Sequence, residues 1–323
     1  MKLLVIRFSS IGDLVLTTPV VRCLKAQTGA EIHFLTKKNM RPILEHNPYI
    51  DRIFTLEKDL APLLPQLKKQ DYDHVVDLHK NLRSWLVKMR LRRPALSFDK
   101  INFEKWLMVR FKIDRLPEVH LVDRYFEGLR PLGIQNDGRG LDWFLPPGLE
   151  LPVSLPRPFI AFAIGAAHAT KRVPVEKAIS ICQKIKYPVA LIGGADVADD
   201  GDTIARKSGA HIRNLCGRLS LHESALIIRE SARVLTHDTG MMHIAAAFRK
   251  PVTSLWGNTI PKFGMYPYYP AGMNLNTTVE VAGLPCRPCS KIGHTACPRV
   301  HFKCMRDLPE ALILETLSGL GDD

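Results

Sequence analysis

Three short stretches of this sequence hold residue types that could do group-transfer chemistry. In SSIGDLVLTTP, Asp13 directly follows Gly12. A carboxylate where a strand turns into a helix can take a proton in a reaction, or it can simply interact with the helix dipole. In AIGAAHATKRVP a strand ends in Gly165, the next loop carries His168, Thr170, Lys171 and Arg172, and Pro174 opens a helix. Two adjacent cations beside a strand end suit phosphate, lysine as a point charge and arginine as a fork. In RVLTHDTGMMHIAAAFRKPVTSLWG a strand ends in Thr236, His237 and Asp238, Thr239 and Gly240 open a helix of small and apolar residues, and His243 lies one turn in. The amides and dipole of such a helix start form an anion site that a diphosphate fits. Capping of the helix by Asp238 and Thr239 is the structural alternative.

These residues act together only if the fold brings them to ligand-binding edges. Residues 3–8 form a nearly continuous apolar run, as in a parallel strand covered on both faces, and the apolar residues of 14–24 recur at helical spacing. Asp13 is therefore expected at the carboxyl end of a strand, where open α/β sheets hold ligands. Only one glycine stands in that turn, so the three-glycine dinucleotide fingerprint is missing. Strands GAEIHFLT, IDRIFTL and HVVDLH follow, with helical stretches at 60–69 and 81–91; residues 110–136 read as helical and then irregular. A proline-rich linker covers 145–158. The second half restarts the pattern with PFIAFAIGA, PVALIGG, HIRNLCG, RVLTHDTG and PVTSLWG. The expectation is α/β: two Rossmann-like doubly wound domains, 1–150 and 151–323, facing across a cleft.

A net charge of +13 favours a polyanionic partner, whether a phosphorylated substrate, anionic lipid or nucleic acid. The chain has few aromatic residues and no stacking motif, so no nucleic acid is expected as a partner. It shows neither a membrane-span-length apolar run nor a secretory signal, and the expected location is the cytoplasm. In HVVDLHKNLRSWLVKMRLRR, His79, Lys80 and Arg83 follow Asp77 at a strand end, where an acidic acceptor would be drawn; a solvated basic helix is the alternative. Cys286, Cys289, Cys297 and Cys304 stand as C-x2-C-x7-C-x6-C, whose first pair has metal-knuckle spacing, so a structural zinc remote from the chemistry is an option there.

The opening RFSSIGDLVLTTP, the loop HATKRVP and the segment THDTGMMHIAAAFRKPVTSLWGNT together resemble the glycosyltransferase family 9 heptosyltransferases, in order and spacing, from Met1 to about the cysteine-rich tail. The resemblance implies the GT-B fold and metal-independent, inverting transfer of heptose from an ADP-heptose donor to a phosphorylated lipopolysaccharide-core acceptor. It implies work in the cytoplasm, peripherally at the inner-membrane surface. By the same resemblance Asp13 takes the place of the general base and Gly12 lies beside the acceptor. Lys171, Asp238, Thr239, Gly240 and His243 would contact the donor, with Thr170 and Arg172 adjacent to them. GGADVADD, with Asp196, is where the family binds base or ribose. One departure is Val173, where many relatives carry tryptophan. A GT-B nucleotide-sugar epimerase, or a nonenzymatic polyanion or nucleic-acid binder, are the alternatives.

Overall fold

The computed structural model of the chain describes residues 1–320. The chain divides into two compact units. The first comprises Met1–Lys100 and Val119–Phe144, the second Ile101–Glu118 and Leu145–Asp323.

The first unit is built on a five-stranded sheet of β1 (Lys2–Ile6), β2 (Glu31–Lys37), β3 (Arg52–Leu56), β4 (His74–Asp77) and β5 (Ala95–Ser97), in the order β3-β2-β1-β4-β5. All neighbours are parallel. Leu3, Leu4, Val5 and Ile6 are fully buried in succession, which only a strand covered by helices on both faces requires. The chain winds outward from β1 through β2 and β3, then returns to add β4 and β5 on the other side of β1. The loops leaving β1 and β4 therefore part in opposite directions and leave a crevice between them.

The second unit repeats the plan with β6 (Ile160–Ala163), β7 (Val189–Ile192), β8 (Ile212–Asn214), β9 (Arg233–His237), β10 (Val252–Trp256) and β11 (Asn276–Glu280), in the order β11-β10-β9-β6-β7-β8. These pairs are parallel as well. The winding reverses between β6 and β9. Its core joins Phe162, Leu191, Leu235 and Leu255 from the strands to Ile181, Ile204 and Ile313 from the helices.

Several elements differ from the sequence expectation. The helix expected over 14–24 is two helices, Ile11–Val15 and Thr18–Thr28, because Pro19 in the first turn of the second has no amide to continue the first. The stretch 60–69 narrows to the single turn Leu64–Lys68. β5 and β11 are additional strands, one only three residues long after Pro94, the other a largely polar edge strand. Residues 101–118, which the sequence places in 1–150, belong to the second unit: helix Asn102–Phe111 is followed by Leu116, which packs with Ile101 and Phe263.

One buried charge ties helix Thr18–Thr28 to the end of the first unit. The Arg22 guanidinium, about 1% exposed, grips both oxygens of Asp137 at 2.7 and 2.8 Å, the Gly140 carbonyl at 2.9 Å, and Asp142. Removing one partner of such a buried cluster leaves charges without a counterion, so Arg22→Ala is expected to cost about 3 kcal/mol or more in a urea titration. A loss below about 1 kcal/mol would show that the cluster holds little.

Candidate active site

The β1–β4 crevice brings together Arg7, Asp13, Asp77 and His79. Asp13 lies in helix Ile11–Val15 just beyond β1. Its Oδ1 is 2.5 Å from an Arg7 nitrogen, and its Oδ2 accepts from the Ser10 amide at 3.0 Å and the Ser10 hydroxyl at 2.8 Å. Burial works to raise its pKa, but the Arg7 charge and the Ser10 hydrogen bonds outweigh it and hold the carboxyl below its ordinary value. Asp13 is therefore ionised at neutral pH. Three of about four lone-pair positions are used, which leaves Oδ1 room to accept one further proton donor. Gly12 is buried beneath it.

Arg7 holds this arrangement. Nearly buried, it also donates to the carbonyls of Ser9 at 2.9 Å and Leu78 at 2.6 Å and lies 3.3 Å from the Tyr125 hydroxyl. It thus links the loops after β1 and β4. In the second of these, fully buried Asp77 accepts from the amides of His79 at 3.0 Å and Lys80 at 2.7 Å and meets Lys88 Nζ at 2.9 Å. His79 stacks edge-on against Phe8, with ring centroids 5.2 Å apart. Lys80 Nζ donates to the Phe98 carbonyl, and Arg83 is exposed on the first turn of helix Leu82–Leu91.

In the second unit the β6–β9 crevice brings Lys171 and Asp238 together. Lys171 Nζ is 2.6 Å from Asp238 Oδ2 and 3.2 Å from the Asp238 carbonyl oxygen, while the Thr259 hydroxyl donates to the same Oδ2 at 2.8 Å. Thr239 stands at the N-cap of helix Gly240–Ala247 in extended conformation, and no side chain caps that helix start. The capping alternative for Asp238 and Thr239 is thus not what the structure adopts. First-turn amides and a lysine ammonium adjoin one another, as a bound anion requires.

The remaining donor candidates are placed differently. Thr170 is buried and pairs with His294, its hydroxyl donating to the His294 carbonyl at 3.1 Å and accepting from the His294 amide at 2.8 Å. Arg172 donates to the Ala166 carbonyl and pairs with Asp196. His243 is buried in its helix. Val173 is buried too, and its amide donates to His237 Nε2 at 3.0 Å, so the loop is packed without a tryptophan.

The cysteine-rich segment backs this loop. Gly293 lies at φ +128°, and a Cβ there would come 2.5 Å from the Cβ of His168, so only glycine lets the two segments approach. All four cysteines are free thiols.

Two buried imidazoles give the molecule a pH dependence. Burial, then the neighbouring Arg7 and Lys100 charges, push His79 down to about 4; burial, then Arg172, push His237 down to about 3. Both are neutral in the fold and become protonated more readily on unfolding. Stability is complete above the ordinary value of about 6.5 and falls as pH drops toward the folded values. The melting temperature is expected to decline across that window. His237→Gln, which can still accept from Val173, should flatten the decline. An unchanged slope in both His237→Gln and His79→Gln would refute it.

Sequence reasoning missed Arg7, Tyr125, Thr259 and Asn258. Arg7 had a signal, a lone cation ending an apolar strand. Asn258 is buried with neither amide atom hydrogen-bonded, and its only signal is its place after the strand end Trp256–Gly257.

The profile of glycosyltransferase family 9 (heptosyltransferase) matches residues 61–297. Lipopolysaccharide heptosyltransferase 2 of Escherichia coli K12 is 25% identical over 294 residues, covering 81% of this chain and 84% of its own. Lipopolysaccharide heptosyltransferase 1 of Pseudomonas aeruginosa is 26% identical over 342 residues, covering 95% and 91%. Among solved structures, the E. coli ADP-heptose lps heptosyltransferase II superposes with a TM-score of 0.72 at 22% identity, covering 98% of this chain and 97% of its own. The GT-B fold with two Rossmann-like sheets is common to both. Among the described residues no helix is long and apolar enough to cross a membrane.

Proposed function

The chain belongs to glycosyltransferase family 9, and from that premise we propose that it transfers heptose, with inversion, from ADP-heptose to a phosphorylated lipopolysaccharide-core acceptor. The relatives' names support heptose transfer. The observation that carries the reading is the pairing of Lys171 with an uncapped helix start at the β6–β9 switch point. That is a site for the negative charge that grows on a departing diphosphate.

In this reading Asp13 removes the proton from an acceptor hydroxyl, whose oxygen attacks the anomeric carbon from the face opposite ADP. The bond to ADP breaks as the new one forms, and Lys171 with the amides of helix Gly240–Ala247 receives the leaving diphosphate. Arg7 keeps Asp13 ionised and oriented, at the cost of some basicity. His79 and Lys80, and Arg83 beyond them, belong to the acceptor side. The protein would act in the cytoplasm at the inner-membrane surface, and no metal is assigned a part in the transfer.

The test is incubation with ADP-heptose and a heptose-free core acceptor, followed by mass spectrometry. An added heptosyl residue with stoichiometric release of ADP is the expected result. Epimerisation of the nucleotide-sugar without acceptor, or no turnover across ADP-sugars, would overturn it.

A further inference from the structure

Helix Leu82–Leu91 buries Ser84, Val87 and Leu91 against its own unit, and Asn81 closes its start by accepting from the Ser84 amide at 2.9 Å. A helix with one buried face ordinarily turns polar residues outward. This one turns out Leu82 at 72% exposed, Trp85 at 49%, Leu86 at 37% and Met89 at 55%. They stand at i, i+3, i+4 and i+7, a single continuous stripe opposite the buried face. Arg83 and Arg90 line one edge of the stripe and Arg92 follows its end; all three are exposed and make no ion pair among the described residues. The helix carries no acidic residue.

We infer that this face is a docking surface for an anionic lipid bilayer, with Leu82, Trp85, Leu86 and Met89 entering the interface and the arginines meeting lipid phosphates. An apolar stripe framed only by cations is the composition of an interfacial helix. A second copy of the chain fits less well, because two-fold pairing through this face would set arginines against arginines. The helix begins two residues after Lys80, in the loop after β4 that Arg7 links to the loop carrying Asp13, so docking presents that crevice to a lipid-borne acceptor. This use rests on the proposed function; the surface itself is argued from the helix alone.

The test is flotation of the intact protein, without substrates, on vesicles of equimolar phosphatidylglycerol and phosphatidylcholine and on phosphatidylcholine alone. The wild type should float only with the anionic vesicles. The double variant Leu82→Ser with Trp85→Ser should lose about tenfold or more of that partition, as should Arg90→Glu with Arg92→Glu. Both should keep the wild-type circular dichroism, and the serine variant should keep wild-type transfer to a deacylated, soluble acceptor. Flotation of the serine variant like wild type overturns the inference, as does a wild type that never floats. Loss with Trp106→Ser instead would move the surface to helix Asn102–Phe111 and overturn this assignment. A concentration-dependent dimer abolished by the serine variant would replace the lipid with a second copy. Vesicle binding without any heptose transfer would leave this surface standing and remove the proposed reaction.

Discussion

Asp13→Asn is expected to lower heptose transfer by roughly 100-fold or more, the scale on which a general base contributes, with ADP affinity close to wild type. Asparagine keeps the size and can still accept from the Ser10 amide, but it takes no proton at neutral pH. It also leaves the nearly buried Arg7 without a counterion, so some stability is lost for a reason separate from catalysis. A double variant separates the two effects. Arg7→Gln with Asp13→Asn removes both charges and should recover much of the lost stability, while transfer stays down if Asp13 is the base. Transfer that recovers along with stability would assign Asp13 a purely structural place at the helix start, as would near-normal turnover in the single variant. The wild-type rate should also show no acid limb from Asp13 in the mildly acidic range, because its folded pKa lies below the ordinary carboxylate value.

The sequence made the sheets legible because buried parallel strands such as β1, β6 and β7 are written as apolar runs, and nine of the eleven strands among the described residues fall in stretches readable as strands, although β8 is only Ile-Arg-Asn. β5 and β11 were not legible: a three-residue strand has no period, and an edge strand with half-exposed threonines lacks the apolar signal. The transfer of residues 101–118 to the second unit was hidden for a related reason. Helix Asn102–Phe111 has exposed aromatic side chains and no buried residue, so its pattern does not say which core it joins. Among site residues, position along the chain predicted strand ends well and side-chain direction poorly. Thr170, Lys171 and Arg172 are consecutive, yet one serves His294, one faces Asp238 and one turns to Asp196. In a short irregular loop successive side chains follow local hydrogen bonds, which no periodicity encodes. Arg7 was passed over because a single cation just past an apolar strand looks like an exception to burial, whereas its charge helps hold Asp13 ionised.

Lys171→Ala is expected to weaken ADP binding by roughly tenfold to a hundredfold, and transfer with it. The direction follows from what the lysine leaves behind. Its ammonium pairs with Asp238, and an arriving diphosphate would share that charge. Without it, the Asp238 carboxylate keeps only the Thr259 hydroxyl and stands as an uncompensated anion beside the helix start where the diphosphate is to bind. The site then loses an attraction and gains a repulsion. Adding Asp238→Asn to Lys171→Ala removes the repulsion alone, so it should restore part of the affinity and not all of it. A merely structural lysine predicts another pattern, since Lys171 also bonds the Asp238 carbonyl and joins the two loops. In that case the ligand-free melting temperature falls, while the further rise on adding saturating ADP is preserved. If Lys171 binds the donor, the ligand-free melting temperature changes little and the ADP-dependent rise shrinks, because that rise measures occupancy of the folded site. ADP affinity within about twofold of wild type in Lys171→Ala would remove the residue from the donor site.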